Sequence, residues 1–433
     1  MNMSASMLIT ALDAHSTMTR PTTSPVPGDV LSTRIPNNSL YKAGIARIIG
    51  IMCLLSLLSD PTLLHAADEL MDAGRTTTID YILERAVSQG LIGGGVVLVG
   101  NRDGVIYTTS RGRVGFSADA PVLTERTMFD IASLTKVFAT APAIMKLLED
   151  GRITLLDPLT RWFPEWEGTD REDITILNLL THTSGLNDIS FNSIEPLKAA
   201  IHKTGIQRSG RVPGTSFHYA DINFILLAEL IQRVSGVPLD RYCRENFYGP
   251  LGMGDTMFLP PHERNEDIAP TIGTANELLT GIVQDENARL LGGVAGHAGL
   301  FSTASDLSRF AAMILNNGIL HGIHIFNERV LSQMTAPYFY SNGHVVRGLG
   351  WDIYSPYSAP RGNIFSEMSF GHTGYSGSSI WIDPQRDLFV ILLTVRLNYR
   401  DIRHINRLRS DISTIAASIF SAPRGPLEVL ENM

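Results

Sequence analysis

Only two cysteines, Cys53 and Cys243, occur in 433 residues. That excludes a disulfide framework, though not an oxidising compartment. Cys-x-x-Cys and His-x-x-x-His pairs are also missing, so the close ligand spacing of common metal sites is lacking and no metal or other cofactor is expected. Positive charge is not in excess: 35 Lys and Arg against 43 Asp and Glu leave a net charge of −8, without the basic footprint of a nucleic-acid binder. No apolar run reaches the roughly 20 residues of a comfortable membrane span. Repeats and long flexible linkers beyond the first 67 residues are absent too. What is present, 44% hydrophobic and 18% charged residues, describes a globular chain with ample core.

The N-terminal region divides by composition. Residues 1–41, rich in Ser, Thr, Pro and Met without periodicity, are expected to be an unstructured extension. Residues 42–66 combine Lys42 and Arg47, an apolar run from Ile48 to Leu58, and the small-residue exit at Ala66, the pattern of a secretory signal. A mature start near Ala67 and a periplasmic or secreted location follow as expectations. Translation starting downstream of Met1 would explain how deep the signal lies. Met52 precedes Cys53 where a lipoprotein signal places a small residue, so a membrane tether follows only if the signal stays uncleaved.

Residues 67–433 read as one catalytic unit. Val96–Val99, the turn Asn101–Gly104 and Val105–Tyr107 predict one hairpin. Ile380–Ile382, the turn Asp383–Asp387 and Leu388–Leu393 predict another. A closing helix carries Ile405, Leu408, Ile412, Ile415 and Ile419 at helical spacing. Arg396, Arg400, Arg403, Arg407 and Arg409 then read as a solvated face of that region. The fold class expected is α+β, an antiparallel sheet built from both ends, flanked by helices, with a mainly helical subdomain inserted. Cys243 reads as structural.

The chemistry starts at Ser133-Leu134-Thr135-Lys136. A serine hydroxyl needs a neighbouring base or cation to attack near neutral pH, and residues three apart share a helix face. Val137, Phe138, Ala141, Ile144 and Leu148 continue the helical spacing, so Ser133 falls in a first turn whose N–H groups would serve an oxyanion. Downstream lie Tyr219-Ala220-Asp221-Ile222-Asn223-Phe224, Gly371-His372-Thr373-Gly374, Leu179-Leu180-Thr181-His182-Thr183-Ser184-Gly185-Leu186, and the glycine-rich loop from Gly292 to Thr303.

Serine with lysine, then tyrosine, then a basic-Thr-Gly strand resembles the serine β-lactamase and penicillin-binding protein family, from about residue 75 to 420. The glycine-rich loop resembles a subgroup that includes proteins named D-Ala-D-Ala carboxypeptidases. The resemblance implies Ser133 as acylated nucleophile, with Lys136 and Tyr219 sharing its proton. It also implies an oxyanion hole from the N–H groups of Ser133 and Tyr375, and a cleft lined by Asp221, His372, Thr373 and Gly374. His297 is expected to line the cleft, the alternative being a metal with Asp285 and His372.

Four positions depart from the pattern. Asp221 replaces a common Asn, and His372 replaces a common Lys, making cleft charge sensitive to pH near neutrality. Gln284 stands where the subgroup often has His. Val395 stands where relatives often have Asn, leaving Arg396 or Arg400 to meet a substrate carboxylate. No Glu-x-x-Leu-Asn stretch for class A deacylation occurs. Three classes stay open. The first is an exported D-Ala-D-Ala carboxypeptidase acting on peptidoglycan stem peptides. The others are an esterase or class C-like β-lactamase acting on a small molecule, and a non-catalytic peptidoglycan-binding protein. Retention of Ser133, Lys136 and Tyr219 argues against the last.

Overall fold

A computed structural model describes residues 76–421 apart from 116, 192–193, 208–209 and 342–344. The expected extension and signal segment lie outside the described residues. Among the described residues, no single helix is long and apolar enough to cross a membrane.

The chain enters on helix α1 (76–88) and then forms β1 (Gly94–Asn101) and β2 (Gly104–Gly112). Six later strands complete an eight-stranded sheet: β3 (Phe339–Ser341), β4 (Val345–Arg347), β5 (Asp352–Tyr354), β6 (Phe370–Thr373), β7 (Ser379–Asp383) and β8 (Leu388–Thr394). The order is β3-β4-β5-β6-β7-β8-β1-β2, antiparallel throughout. Both expected hairpins form, and the two ends of the chain meet where Gly95 pairs with Thr394 and Val99 with Val390.

Side-chain alternation shows why the central strands read as unbroken apolar runs. Val96 and Leu98 of β1, with Phe389, Ile391 and Leu393 of β8, face the core shared with the helical insert. Val97, Val99, Val390 and Leu392 face the opposite way, onto α1 and the closing helix α5 (Ile402–Phe420). Both faces of the sheet are covered, so both parities are apolar. Fully burying each such side chain contributes roughly 1.5–3 kcal/mol.

Three helices organise the insert: α2 (Ala141–Glu149), α3 (Ile222–Ser235) and α4 (Ala304–Leu315). Asn178 and Thr175 form a capping box on the short helix Ile176–Leu180, which fixes where the Thr181–Gly185 turn begins. Cys243 is fully buried against the carbonyl of Ala139, a packing role.

The arginine-rich stretch corrects the expectation of a solvated face. Arg403 and Arg407 are exposed, but Arg396 and Arg409 are buried. Arg409 donates to the carbonyls of Gly374, Gly377 and Ser378, and Arg396 to those of Tyr375, Asn398 and Tyr399. The turn between β6 and β7 leaves carbonyls that no strand satisfies. Buried acceptors need donors, and these two guanidinium groups supply them.

Candidate active site

Ser133 does not sit in a regular α-helix. Residues Ala132–Leu134 form a 3-10 turn, Lys136–Thr140 a π-helical turn, and α2 follows. In a 3-10 turn residues three apart eclipse, which brings Lys136 directly beside Ser133. Lys136 Nζ donates to Ser133 Oγ at 3.1 Å. The widened turn is tied down by Thr135, which donates to Ala132 O at 2.7 Å, and by Thr140, which donates to Gly296 O at 2.7 Å.

Lys136 is fully buried and has three further neighbours. It donates to His297 O at 3.1 Å, pairs with Asp221 Oδ1 at 2.7 Å, and lies 5.1 Å from the centroid of the Tyr219 ring. Glycine at 296 makes the first contact available. A Cβ there would stand 2.0 Å from Phe224 O, so only glycine lets the loop press against α3 and aim the next carbonyl at the lysine. Burial works against the ammonium, but the charge of Asp221 beside it outweighs that and holds Lys136 above the ordinary lysine range. Burial raises the phenol of Tyr219, and the charge of Lys136 offsets that only in part. At rest, then, serine and tyrosine are neutral and lysine is cationic. The ammonium can stabilise a serine alkoxide, and any base action by the trio requires it to lose one proton first.

The other cleft residues expected from sequence fall into two groups. Ser133, Tyr219, Asp221, Tyr375 and His297 line one cavity of about 440 Å³ together with Thr274, Gln284, Asp285 and Glu286. His372, Thr373 and Gly374 form the neighbouring wall, at the end of β6. His372 corrects an expectation. Its Nδ1 donates to Thr373 O at 2.9 Å, and burial, reinforced by the charges of Arg347 and Lys136, holds it well below the usual histidine range. It stays neutral near physiological pH and is no switch there. Gly374 packs its backbone on the nucleophile turn, since a Cβ would lie 2.5 Å from Ile131 O. The exposed Tyr375 ring stacks on Tyr399 at 4.6 Å, and the residue lines the same cavity as Ser133.

His297 Nε2 lies 2.8 Å from Asp285 Oδ1. The ligand atoms of His297, Asp285 and Asp221 lie within 4.8 Å of one another, which has the look of a cation site. Lys136 already supplies the cation, at 2.7 Å from Asp221, so the cluster is complete without a metal. His372 does not join it.

Sequence reasoning missed the support beneath Tyr219. His182, at a backbone φ of 55°, stacks its ring on Tyr219 with centroids 4.4 Å apart. Its Nδ1 lies 3.3 Å from Ala220 N and 3.1 Å from Asn223 Nδ2, while Ser184 donates to Asn223 Oδ1. Two N–H donors facing Nδ1 place the imidazole proton on Nε2, and burial holds the ring neutral. The Thr181–Gly185 motif therefore carries the platform on which the tyrosine rests; its recurrence as a motif was the available signal.

Known proteins resemble this chain in sequence and in fold. The β-lactamase family model matches residues 69–412. An N-acetylmuramyl-L-alanine amidase of Bacillus subtilis is 29% identical over 78% of this chain and 84% of its own length. A provisionally named D-alanyl-D-alanine carboxypeptidase of Escherichia coli is 26% identical over 80% of this chain and 88% of its own. Among solved structures, a class C β-lactamase superimposes with a TM-score of 0.67 at 20% identity, covering 82% of this chain and 98% of that one, a likeness of fold. With the serine, lysine and tyrosine converging in one cleft, the chain belongs to the β-lactamase family of serine hydrolases.

Proposed function

We propose that the protein is an exported acyl-serine amidohydrolase that cuts peptidoglycan-derived amides whose leaving amine carries no adjacent carboxylate, the bond type named for the Bacillus subtilis relative. Ser133 Oγ bonds to the carbonyl carbon, the C–N bond breaks, and the amine leaves with a proton. Water then cleaves the acyl-serine ester and restores the hydroxyl.

One observation carries the choice of leaving group. Among the described residues the cavity is lined by three carboxylates, Asp221, Asp285 and Glu286, and by no arginine. Lys136 is engaged by Asp221. Arg396, the cation expected to meet a substrate carboxylate, is buried and spends its donors on backbone carbonyls, and Arg400 is not part of the lining. A terminal D-Ala carboxylate would meet like charge, costing roughly 1–4 kcal/mol at 4 Å in surroundings between water and a protein surface. A substrate uncharged beside the scissile bond avoids that cost.

The decisive comparison pairs hydrolysis of the muramyl–alanine amide in N-acetylmuramyl-L-alaninamide, whose leaving amine carries no free carboxylate, with D-Ala release from a pentapeptide ending in D-Ala-D-Ala. The amidase reaction is expected to be faster by at least tenfold in kcat/KM. Faster D-Ala release would return the function to a carboxypeptidase. Export is part of the same proposal and rests on the signal pattern of residues 42–66. Edman sequencing of the processed protein should begin near Ala67, and an uncleaved N-terminus in a cytosolic fraction would refute it.

A further inference from the structure

Asp130 is a buried carboxylate for which the acyl-transfer chemistry itself has no use. It ends the two-residue strand Phe129–Asp130, which pairs with Leu300–Ser302, three residues ahead of the nucleophile. Its two oxygens take different partners: Oδ1 accepts from Ala132 N at 2.8 Å, and Oδ2 from Gln284 N at 2.7 Å. Those two amides belong to segments 152 positions apart in the chain, and both residues line the cavity.

Each segment needs holding. Ala132 has φ 48°, a left-handed conformation that costs a non-glycine residue on the order of 1–3 kcal/mol and persists only where surroundings enforce it. The next residue is Ser133. Gln284 precedes Asp285, whose carboxylate caps the helix Glu286–Leu290 through Ala288 N and bonds His297. The carbonyl of His297 in turn holds Lys136. One carboxylate therefore sits at the start of both paths, to the nucleophile and to its ammonium.

We propose that Asp130 is a positioning residue for acyl transfer: by accepting from Ala132 and Gln284 together, it holds the nucleophile turn in register with the loop that steers Lys136. The inference rests on Ser133 as the nucleophile and not on the identity of the leaving group. Ionised, Asp130 is an acceptor at both oxygens; protonated, one oxygen becomes a donor and faces an N–H. The charged groups acting on it are Asp285 and Arg289, from the loop and the helix that follows it, and the titratable phenol of Tyr399, neutral at these pH values, also faces it. Burial pushes its carboxyl up to about 6, so the double acceptor is intact above that pH and lost below it.

The test is the rate of inactivation by a neutral fluorophosphonate, which reports serine reactivity without a substrate carboxylate or amine. Wild-type protein should lose rate more steeply below about pH 6 than above it, by one additional proton, while its near-ultraviolet circular dichroism stays constant. Asp130→Asn, which keeps the shape but offers one acceptor, should react at least tenfold more slowly at pH 8 and lose that acid limb. A wild-type profile whose slope is the same above and below pH 6 overturns the proposal whether or not the variant folds. So does a folded Asp130→Asn with the wild-type rate, or one that keeps the limb, which would then belong to another group.

Discussion

Ser133→Ala should form no covalent adduct with a fluorophosphonate under conditions in which the wild-type protein gains the mass of a single phosphonyl group. Amide hydrolysis should fall by roughly 10³–10⁶-fold, the range seen when a serine nucleophile is removed from a unit that acts together. The fold should survive. Ser133 is only half-buried, and its hydroxyl receives one of several contacts made by Lys136, whose ammonium keeps Asp221 and the carbonyl of His297. Losing one such hydrogen bond costs about 1 kcal/mol, visible as a small shift in a urea denaturation curve. Intact mass spectrometry of both proteins decides the matter. An adduct of unchanged yield on Ser133→Ala would place the nucleophile elsewhere and remove the acyl-serine mechanism altogether. Penicillin makes a useful second reagent, because its carboxylate enters a cleft lined by Asp221, Asp285 and Glu286. It should therefore acylate Ser133 far more slowly than the neutral phosphonate does.

How much of this arrangement the sequence disclosed depended on the range of each interaction. The two hairpins were legible because β1, β2, β7 and β8 are local runs bounded by turns, and burial of both sheet faces keeps the middles of the inner ones apolar on both parities. Ser133 and Lys136 were legible because they lie three positions apart; Tyr219 and the His372–Gly374 strand were legible only through family motifs. What stayed hidden lies between distant segments. Asp130 reaches Gln284 across 154 residues, and His182 meets Asn223 across 41, neither with a local pattern to mark it. His372 was misjudged as a pH-sensitive group because its neutrality comes from burial and from Arg347, which belongs to another strand. Arg409 was misjudged because helical spacing reports which residues share a face, but not which carbonyls that face will meet. A motif names residue types; the charge state of each is set by what folds against it.

The Lys136–Asp221 pair is where that distinction has the largest consequence. Lys136→Met leaves Asp221 without its cation, with Asp285 nearby in the same cluster. Removing one partner of a buried pair typically costs about 3–5 kcal/mol, toward the lower end here because Asp221 is partly exposed. Loss of the group that stabilises the alkoxide and moves its proton should also slow acylation by roughly 10²–10⁴-fold. The double variant Lys136→Met/Asp221→Asn should recover most of the stability, since no carboxylate is stranded, and none of the rate. Asp221→Asn alone should separate the two roles. Asp221 is what outweighs burial and raises Lys136; with an amide there, burial dominates and the lysine deprotonates at lower pH. The alkaline rise in acylation rate, which marks loss of the extra proton from the trio, should then move down by at least one pH unit. Stability has the opposite dependence. Asp221 is held below the ordinary carboxylate range, chiefly by Lys136 against the cost of burial, so the pair stabilises the fold across neutral pH and fades as acid protonates the carboxylate. Urea denaturation at pH 7 and fluorophosphonate kinetics from pH 6 to 10 on the three variants measure both. A Lys136→Met variant as stable as wild type, or an Asp221→Asn profile that does not move, would show that the aspartate in this family position is not what keeps the lysine charged.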